Sequence, residues 1–198
     1  MGEMTMTGSL DRRAVTAKLL EDRGDLLVVT GLGSPSYDAM AAGDHDLNYY
    51  LWAAMGSAAT VGFGLAMTQR EKPVLVLTGD GEMLMGLGAL ASIGQKLPPN
   101  LTIAVLDNGH YGETGMQTSH TGRDIELARF AEAANFPWTR VVTDMDGVSD
   151  LRSRMQSQAG TSFAAIKIAA ENLPRALPPR DGVHVKNRFR AALGLSTI

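Results

Sequence analysis

Two apolar segments, each ending in a short polar motif, constrain the fold of this chain most strongly. Residues 73–78 read Pro-Val-Leu-Val-Leu-Thr and lead into Gly-Asp-Gly at 79–81. Residues 101–106 read Leu-Thr-Ile-Ala-Val-Leu and lead into Asp-Asn-Gly at 107–109. Short aliphatic and β-branched runs that stop at glycine-rich chain are typical of buried strands. The segment between them has room for one helix, over 83–95, and we therefore predict a βαβ unit with parallel strands.

This unit brings the two polar motifs to the same edge of the sheet, at the carboxyl ends of its strands. Open α/β sheets bind ligands at that edge. The carboxylate of Asp80 and the amide oxygen of Asn108, together with backbone carbonyls, suit a hard cation such as Mg²⁺, which is usually held by few protein ligands and by phosphates. A simple turn and a simple strand end are the alternative interpretations, but the occurrence of both motifs on successive strands favours a ligand site.

The rest of the chain also alternates between strand and helix patterns. This alternation predicts an α/β fold with a doubly wound, mainly parallel sheet flanked by helices. We predict further strands over 25–30, 138–142 and 163–168. We predict loops over 43–48 and 109–123. The predicted helices are one capped by Ser9 and others over 37–42, 53–67, 124–135, 148–157 and 185–193. We expect residues 1–198 to form a single domain, with a flexible N-terminus of about residues 1–8 and an extended tail from about residue 172 to residue 198.

Composition excludes several classes of site and of partner. The chain contains no cysteine, so it carries no disulfide, thiolate metal site or iron–sulfur cluster of its own. The net charge is −3 and there is no basic stripe, which argues against nucleic-acid binding. Residues 47–69 carry no charge but include three glycines, which favours a buried helix over a membrane span. Residues 1–9 lack a signal-peptide pattern, and we expect a cytoplasmic protein.

The two motifs and the sequence segments given below resemble one enzyme family. Gly-Asp-Gly followed by Asp-Asn resembles the diphosphate motif of thiamine diphosphate (ThDP) enzymes, in their cofactor-binding (PP) domain. Within that class the chain is most similar to the β subunits of sulfopyruvate and phosphonopyruvate decarboxylases. The similar segments are Gly-Asp-Gly-Glu-Met-Leu-Met at 79–85, Tyr-Gly-Glu-Thr-Gly-Met-Gln at 111–117 and Leu-Pro-Pro-Arg-Asp-Gly at 177–182.

The resemblance implies a set of metal and cofactor ligands. Asp80 and Asn108 would bind Mg²⁺ through side-chain oxygens, and His110 would bind it through its backbone carbonyl. The implied cofactor-binding residues are Gly33, Ser34, Ala53, Met55, Gly79, Asp80, Gly81, Glu82, Asn108, His110, Tyr111 and Gly112. The family usually has a small residue where this chain has Glu82, and we expect the Glu82 carboxylate to point away from the diphosphate, with its N–H still available.

The implied catalytic residues are Met55, Glu113 and Thr114. Met55 would be the apolar wedge that bends the cofactor, and the Ala53 carbonyl would accept a hydrogen bond from the aminopyrimidine. An ordinary core position is the alternative interpretation of Met55. Glu113 and Thr114, with Gln117, are candidates for substrate contact; for Glu113 and Gln117 an ordinary polar loop is an equally good interpretation.

The resemblance also implies a split enzyme. In this family, a glutamate on a separate PYR domain protonates the pyrimidine. A domain of about 150 residues does not fit in this chain beside the PP domain. We therefore expect a separate PYR-domain (α) subunit that supplies the glutamate, in a hetero-oligomer such as α2β2 or larger.

The implied activity is decarboxylation of a small 2-oxoacid that the sequence does not identify. An acetolactate-synthase-like carboligase stays open as an alternative. The β subunit of a 2-oxoacid:ferredoxin oxidoreductase also stays open, because such subunits share the Tyr-Gly-x-Thr-Gly-x-Gln segment. A binding subunit without catalysis is a third possibility, which the presence of both Asp80 and Asn108 disfavours.

Overall fold

A computed structural model describes residues 10–197, and a parallel sheet forms its centre. The strands are β1 (Leu27–Thr30), β2 (Asn48–Tyr50), β3 (Val74–Gly79), β4 (Leu101–Asp107), β5 (His110–Tyr111), β6 (Gln117–Thr118), β7 (Trp138–Val142) and β8 (Ser162–Lys167). Six of them form the parallel sheet in the order β2-β1-β3-β4-β8-β7, and β5 and β6 form a separate antiparallel hairpin. The predicted α/β class with a mainly parallel sheet is confirmed.

Helices cover both faces of this sheet. The helices are α1 (Arg12–Leu20), α2 (Ser34–Ala41), α3 (Ala58–Thr68), α4 (Asp80–Met85), α5 (Ala89–Gly94), α6 (Leu127–Ala133), α7 (Met145–Gln156) and α8 (Gly182–Ala192). Alternate side chains of β3 enter two different hydrophobic clusters. Val74 and Val76 pack with α3, α5, α6 and α8, whereas Leu75 and Leu77 pack with α1 and α7. This period of two is what a strand buried on both faces requires.

The predicted βαβ unit is present, but its crossover differs from the prediction. Strands β3 and β4 are parallel, with Gly79 opposite Leu106. The single helix predicted over 83–95 is wrong, because two short helices, α4 and α5, occupy that segment. The break lies at Gly86, where an added Cβ would lie 2.0 Å from the carbonyl oxygen of Gly56. Close backbone contact at this point separates the two helices.

Three other predictions of local structure need correction. The helix predicted over 53–67 begins at Ala58, since residues 51–57 form irregular chain in which Gly56 has a φ of +91°. The predicted loop over 43–48 ends in the three-residue edge strand β2, which pairs with β1. The predicted loop over 109–123 contains the hairpin β5–β6 and two 3-10 turns.

Several helices begin at other residues than the sequence predicted, and side-chain caps explain two of these starts. Asp11 caps α1 by accepting a hydrogen bond from the Ala14 N–H at 2.7 Å, and the predicted cap Ser9 lies outside the described residues. Asp144 caps α7, which therefore begins three residues before the predicted start at 148. Helix α6 begins at Leu127, three residues after its predicted start. Residues 169–181 have no regular structure, and α8 follows them.

This architecture gathers the carboxyl ends of β1, β3 and β4 at one edge of the sheet. Thr30 at the end of β1 lies opposite Leu77 of β3, and Gly79 lies opposite Leu106 of β4. The loops that follow these strands therefore emerge side by side. Within residues 10–197, none of the helices combines the length and the apolarity that crossing a bilayer requires.

Candidate functional site

A cavity of about 190 Å³ lies at this edge of the sheet. It opens beyond the carboxyl ends of β3 and β4 and is bordered by the loop that follows β1. The lining residues are Arg12, Leu32, Ser34, Pro35, Met55, Gly79, Asp80, Gly81, Glu82, Leu106, Asn108, His110, Tyr111, Gly112, Glu113, Thr114 and Ile168. The Gly-Asp-Gly motif after β3 and the Asp-Asn-Gly motif at the end of β4 therefore meet in one cavity, as the βαβ topology requires.

Most of the predicted site residues line this cavity, but two do not. Gly33 lies just behind the wall, where an added Cβ would lie 2.9 Å from the side chain of Glu113, and its φ of +80° favours glycine. Ala53 is exposed, lies in the irregular segment 51–57 and does not border the cavity. Met55 does border it, with 41% of its surface exposed, so the alternative of a core position for Met55 is wrong.

Asp80 is a buried carboxylate at the base of the cavity. It begins α4 immediately after β3, and the hydroxyl groups of Ser119 and Thr121 both donate hydrogen bonds to its Oδ2 atom. Burial raises the pKa of the Asp80 carboxyl group, and the nearby Asp107 raises it further, whereas the two hydroxyl donors lower it. A cation in the cavity would lower the pKa of this carboxyl group and stabilise its charged form.

Asn108 and His110 form a compact turn beside Asp80. The Asn108 Oδ1 atom accepts a hydrogen bond from the His110 N–H at 2.9 Å. The His110 Nδ1 atom lies 2.8 Å from the Asn108 carbonyl oxygen, so that contact fixes the imidazole ring against the backbone. In the range 10–197, no three His, Cys, Asp or Glu residues form a metal-binding group. Any cation here would rely on one carboxylate, an amide oxygen and backbone carbonyls.

A hydrogen-bond network that the sequence analysis missed supports this turn. The Thr121 hydroxyl also lies 2.7 Å from Asp107 Oδ1, so Asp80 and Asp107 share its single hydrogen, and Lys167 at the end of β8 pairs with Asp107 Oδ2. Ser119 and Thr121 lie in the segment predicted only as a loop. Their spacing as Ser-x-Thr was the signal available in the sequence, but nothing local indicates that both hydroxyl groups turn back to Asp80.

Glu82 lines the cavity while its carboxylate reaches into the protein. Thr78 donates its hydroxyl hydrogen to Glu82 Oε2 at 2.9 Å, and the Ala58 N–H, at the start of α3, is 3.4 Å from Oε1. An added Cβ on Gly31 would lie 1.6 Å from Oε2, so this carboxylate requires a glycine at the end of β1. Burial raises the pKa of Glu82, and hydrogen bonds from Thr78 and from backbone N–H groups oppose this rise.

Two of the three predicted substrate-contact residues, Glu113 and Thr114, lie at the mouth of the cavity. The Thr114 hydroxyl donates to Gln117 Oε1 at 2.9 Å, and Gln117 does not border the cavity. Glu113 pairs with Arg175 at 3.1 Å, and the Arg175 guanidinium lies 5.6 Å from the centre of the Tyr37 ring. Segment 169–181 therefore runs beside the mouth, and its Pro179 carbonyl accepts a hydrogen bond from the Trp52 indole at 2.7 Å.

Comparison with known proteins identifies the family. Residues 32–168 match the model of the thiamine pyrophosphate enzyme, C-terminal TPP binding domain. The chain is 31% identical over 187 residues to the sulfopyruvate decarboxylase subunit beta of Methanococcus maripaludis, covering 93% of this chain and 98% of that subunit. It is 33% identical over 182 residues to the sulfopyruvate decarboxylase of Methanosarcina acetivorans, covering 92% of this chain and 47% of that protein.

Other relatives agree with these matches. The phosphonopyruvate decarboxylase of Streptomyces viridochromogenes is 34% identical over 183 residues, covering 90% of this chain and 45% of that enzyme. The chain thus spans about half the length of these two relatives, which are not named as subunits. Benzoylformate decarboxylase from Polynucleobacter necessarius shares the fold, with a TM-score of 0.70 at 18% identity over 88% of this chain and 35% of its own. The chain therefore belongs to the thiamine pyrophosphate enzymes and carries their C-terminal TPP-binding domain.

Proposed function

We propose that the cavity holds the diphosphate of ThDP together with Mg²⁺. The observation that carries this proposal is that Asp80, Asn108 and His110 converge on one cavity in a chain of the thiamine pyrophosphate family. A carboxylate, an amide oxygen and a backbone carbonyl suit Mg²⁺, which prefers oxygen ligands and takes further ligands from phosphates. The raised pKa of the buried Asp80 carboxyl group fits a site that a cation completes.

Each neighbouring residue then has a defined task in the proposed site. Ser119 and Thr121 orient the Asp80 carboxylate through its Oδ2 atom. Gly79, Gly81 and Gly112 present backbone without side chains to the cavity, which lets phosphate oxygens approach closely. Gly33 and Ser34 add backbone and hydroxyl donors beside them. When bound, ThDP supplies the electron sink for breaking the bond to the carboxylate of a 2-oxoacid.

Residues at the mouth of the cavity would orient the reacting ends of the cofactor and the substrate. Met55, at the rim, would support the bent cofactor, and the Ala53 carbonyl would face the aminopyrimidine after the segment 51–57 adjusts. Glu113 and Thr114 border the same mouth and would contact the 2-oxoacid. Glu82 contacts the Ala58 N–H at the start of α3 and would thereby help to hold the preceding segment that carries Met55.

We propose that the reaction is decarboxylation of an anionic 2-oxoacid such as sulfopyruvate or phosphonopyruvate. Support comes from the relatives, which are sulfopyruvate and phosphonopyruvate decarboxylases at 31% to 34% identity. No observation on this chain favours the carboligase or the ferredoxin oxidoreductase over the decarboxylase.

We propose further that the active enzyme contains a separate PYR-domain subunit, which supplies the catalytic glutamate. Three relatives are named as beta subunits, and the relatives that are not so named are about twice as long as this chain. The exposed side chain of Met55 (41%) borders the cavity, the exposed Met85 (64%) lies beside the neighbouring Gly56, and both suit contact with such a partner. A hetero-oligomer such as α2β2 or larger follows from this proposal.

The test is reconstitution of the complex. The tagged chain is isolated from its native host with any bound protein and assayed for release of CO₂ from sulfopyruvate, phosphonopyruvate and pyruvate. The expected result is a stoichiometric partner and ThDP-dependent decarboxylation of one anionic 2-oxoacid. A pure, fully active chain without a partner would contradict the split enzyme, and a complex inactive on all three acids would contradict the reaction.

A further inference from the structure

Arg12 is a buried cation in the wall of the cavity. It lies in the first turn of α1, only 3% of its surface is exposed, and it borders the cavity together with Asp80 and Asn108. It is the one lysine or arginine among the lining residues of this cavity, whose other charged members are Asp80, Glu82 and Glu113. Buried arginine side chains are normally paired, so the partner of Arg12 must be identified.

The partner is a carboxylate that Arg12 shares with a second arginine. Asp38 of α2 is fully buried, and its oxygens lie 3.4 Å from Arg12 Nε and 3.6 Å from Arg13 Nε. Two guanidinium groups around one carboxylate leave a net positive charge of one. Among the described residues, the Arg12 Nε atom and both Asp38 oxygens are buried without a hydrogen-bond partner, so charge attraction alone joins these two side chains.

The single carboxylate beside Arg12 therefore serves two guanidinium groups and leaves one positive charge in excess. Arg13 differs, because its side chain is 35% exposed and it donates a hydrogen bond to the Pro174 carbonyl. The acidic residues that line the cavity outnumber this one cation, and their charge disfavours the entry of a diphosphate or an acidic substrate. A fixed guanidinium offsets part of this repulsion and offers paired N–H donors that match the geometry of tetrahedral oxyanions.

We propose that Arg12 binds a tetrahedral oxyanion in this cavity, either a phosphoryl group of the cofactor diphosphate or the acidic tail group of the 2-oxoacid. The proposal rests on the function proposed above and assigns a residue to that same site. Asp38 holds Arg12 on the Nε side and thereby positions its terminal nitrogen atoms. Arg12 is thus a binding residue, and Asp38 is a positioning residue.

The test compares Arg12→Gln with Arg13→Gln. Both variants remove one guanidinium from Asp38, but only Arg12 borders the cavity. Pyrophosphate with Mg²⁺, and separately phosphonoacetate, are titrated by calorimetry into the complex of the co-purified partner with the wild-type chain and with each variant. The Arg12→Gln variant is expected to bind one of these probes about 10- to 100-fold more weakly, as the loss of charged hydrogen bonds implies. Arg13→Gln should bind both probes within about fivefold of the wild type.

Each outcome bears on the proposal. A loss confined to pyrophosphate assigns Arg12 to the diphosphate, and a loss confined to phosphonoacetate assigns it to the substrate. Equal binding by wild type and Arg12→Gln, or an equal loss in Arg13→Gln, would overturn the proposal and leave the proposed function intact. A wild type that binds neither probe would overturn both. If Arg12→Gln does not fold, the double variant Arg12→Gln/Asp38→Asn avoids an uncompensated buried carboxylate and should show the same loss.

Discussion

At the residue scale, the orientation of one carboxylate decides whether this cavity suits a cation. The Asp80 Oδ2 atom is engaged by Ser119 and Thr121, and these two hydroxyl groups also contact each other at 2.9 Å. Groups that hydrogen-bond to metal ligands hold those ligands in place, and their loss typically lowers metal affinity. Ser119 therefore matters to the site although it does not line the cavity.

Replacement of Ser119 by alanine should lower the affinity of the site for Mg²⁺ in the presence of ThDP. The expected loss in Mg²⁺ affinity is about 10-fold, because Asp80 loses a hydrogen bond that orients its carboxylate. The measurement is a Mg²⁺ titration at fixed ThDP by calorimetry. Ser153→Ala, an exposed change on α7, is the control. Equal Mg²⁺ affinity in the Ser119→Ala variant and the control would show that the hydroxyl group does not orient Asp80.

The buried carboxyl group of Asp38 should make the stability of the protein depend on pH. Burial raises the pKa of its carboxyl group to about 6, although Arg12 and Arg13 lower it in part. The folded state then holds the Asp38 proton more tightly than the unfolded chain does. Protonated Asp38 therefore contributes fully to the free energy of unfolding below about pH 4, and this contribution is lost as the pH rises through about 6. The size of this loss is on the order of 3 kcal/mol.

Urea unfolding of the wild type and of Asp38→Asn between pH 4 and pH 7 tests this prediction. The wild type should lose stability over this range relative to the variant, which has no titrating group at position 38. Parallel pH profiles for the two proteins would mean that Asp38 stays ionised in the folded state throughout, and that its two arginine neighbours outweigh its burial.

At the element scale, the sequence predicted the central strands well and the segments around them less well. Strands β3 and β4 are long, apolar and bounded by glycine, so a local pattern identifies them. Strand β2 has three residues and depends on pairing with β1, which a local pattern does not contain. The break between α4 and α5 depends on contact between Gly86 and Gly56, residues that are far apart in the sequence.

Helix α3 offers a matched pair of glycines that tests the packing. An added Cβ at Gly62 would lie 2.1 Å from Val76 Cγ2, whereas one at Gly64 would meet nothing within 4 Å. Gly62→Ala should destabilise the protein by about 1–3 kcal/mol through overpacking. Gly64→Ala should stabilise it by up to about 1 kcal/mol, because alanine favours the helix. Thermal unfolding measures both, and equal shifts of Tm would contradict the described contact between α3 and β3.

At the scale of the whole molecule, the cavity is assembled from segments that lie far apart in the chain. The sequence predicted the cavity residues that follow β1, β3 and β4, because each set belongs to a local motif and the topology of the sheet brings these motifs to one edge. It did not predict Arg12 or Ile168. These residues reach the cavity only because β8 inserts beside β4 and α1 packs next to α2.

The proposed partner should cover the cavity rim. Met85→Glu places a charge on an exposed methionine beside the segment that carries Met55 and should weaken association with the PYR-domain subunit at least 10-fold, by burying an unpaired charge. Val183→Glu, at a similarly exposed position on α8, is the control. Sedimentation of each variant with the co-purified partner gives the affinities. Weaker association in the Val183→Glu variant alone would place the interface elsewhere.

The central claim is that Asp80 and its neighbours hold ThDP through Mg²⁺. Its most direct test is a calorimetric titration of ThDP into the chain with its co-purified partner, with and without Mg²⁺, for the wild type and Asp80→Asn. We expect Mg²⁺-dependent binding by the wild type and its loss in Asp80→Asn, with both proteins folded. Binding that survives in Asp80→Asn, or a wild type that binds no ThDP, would contradict it.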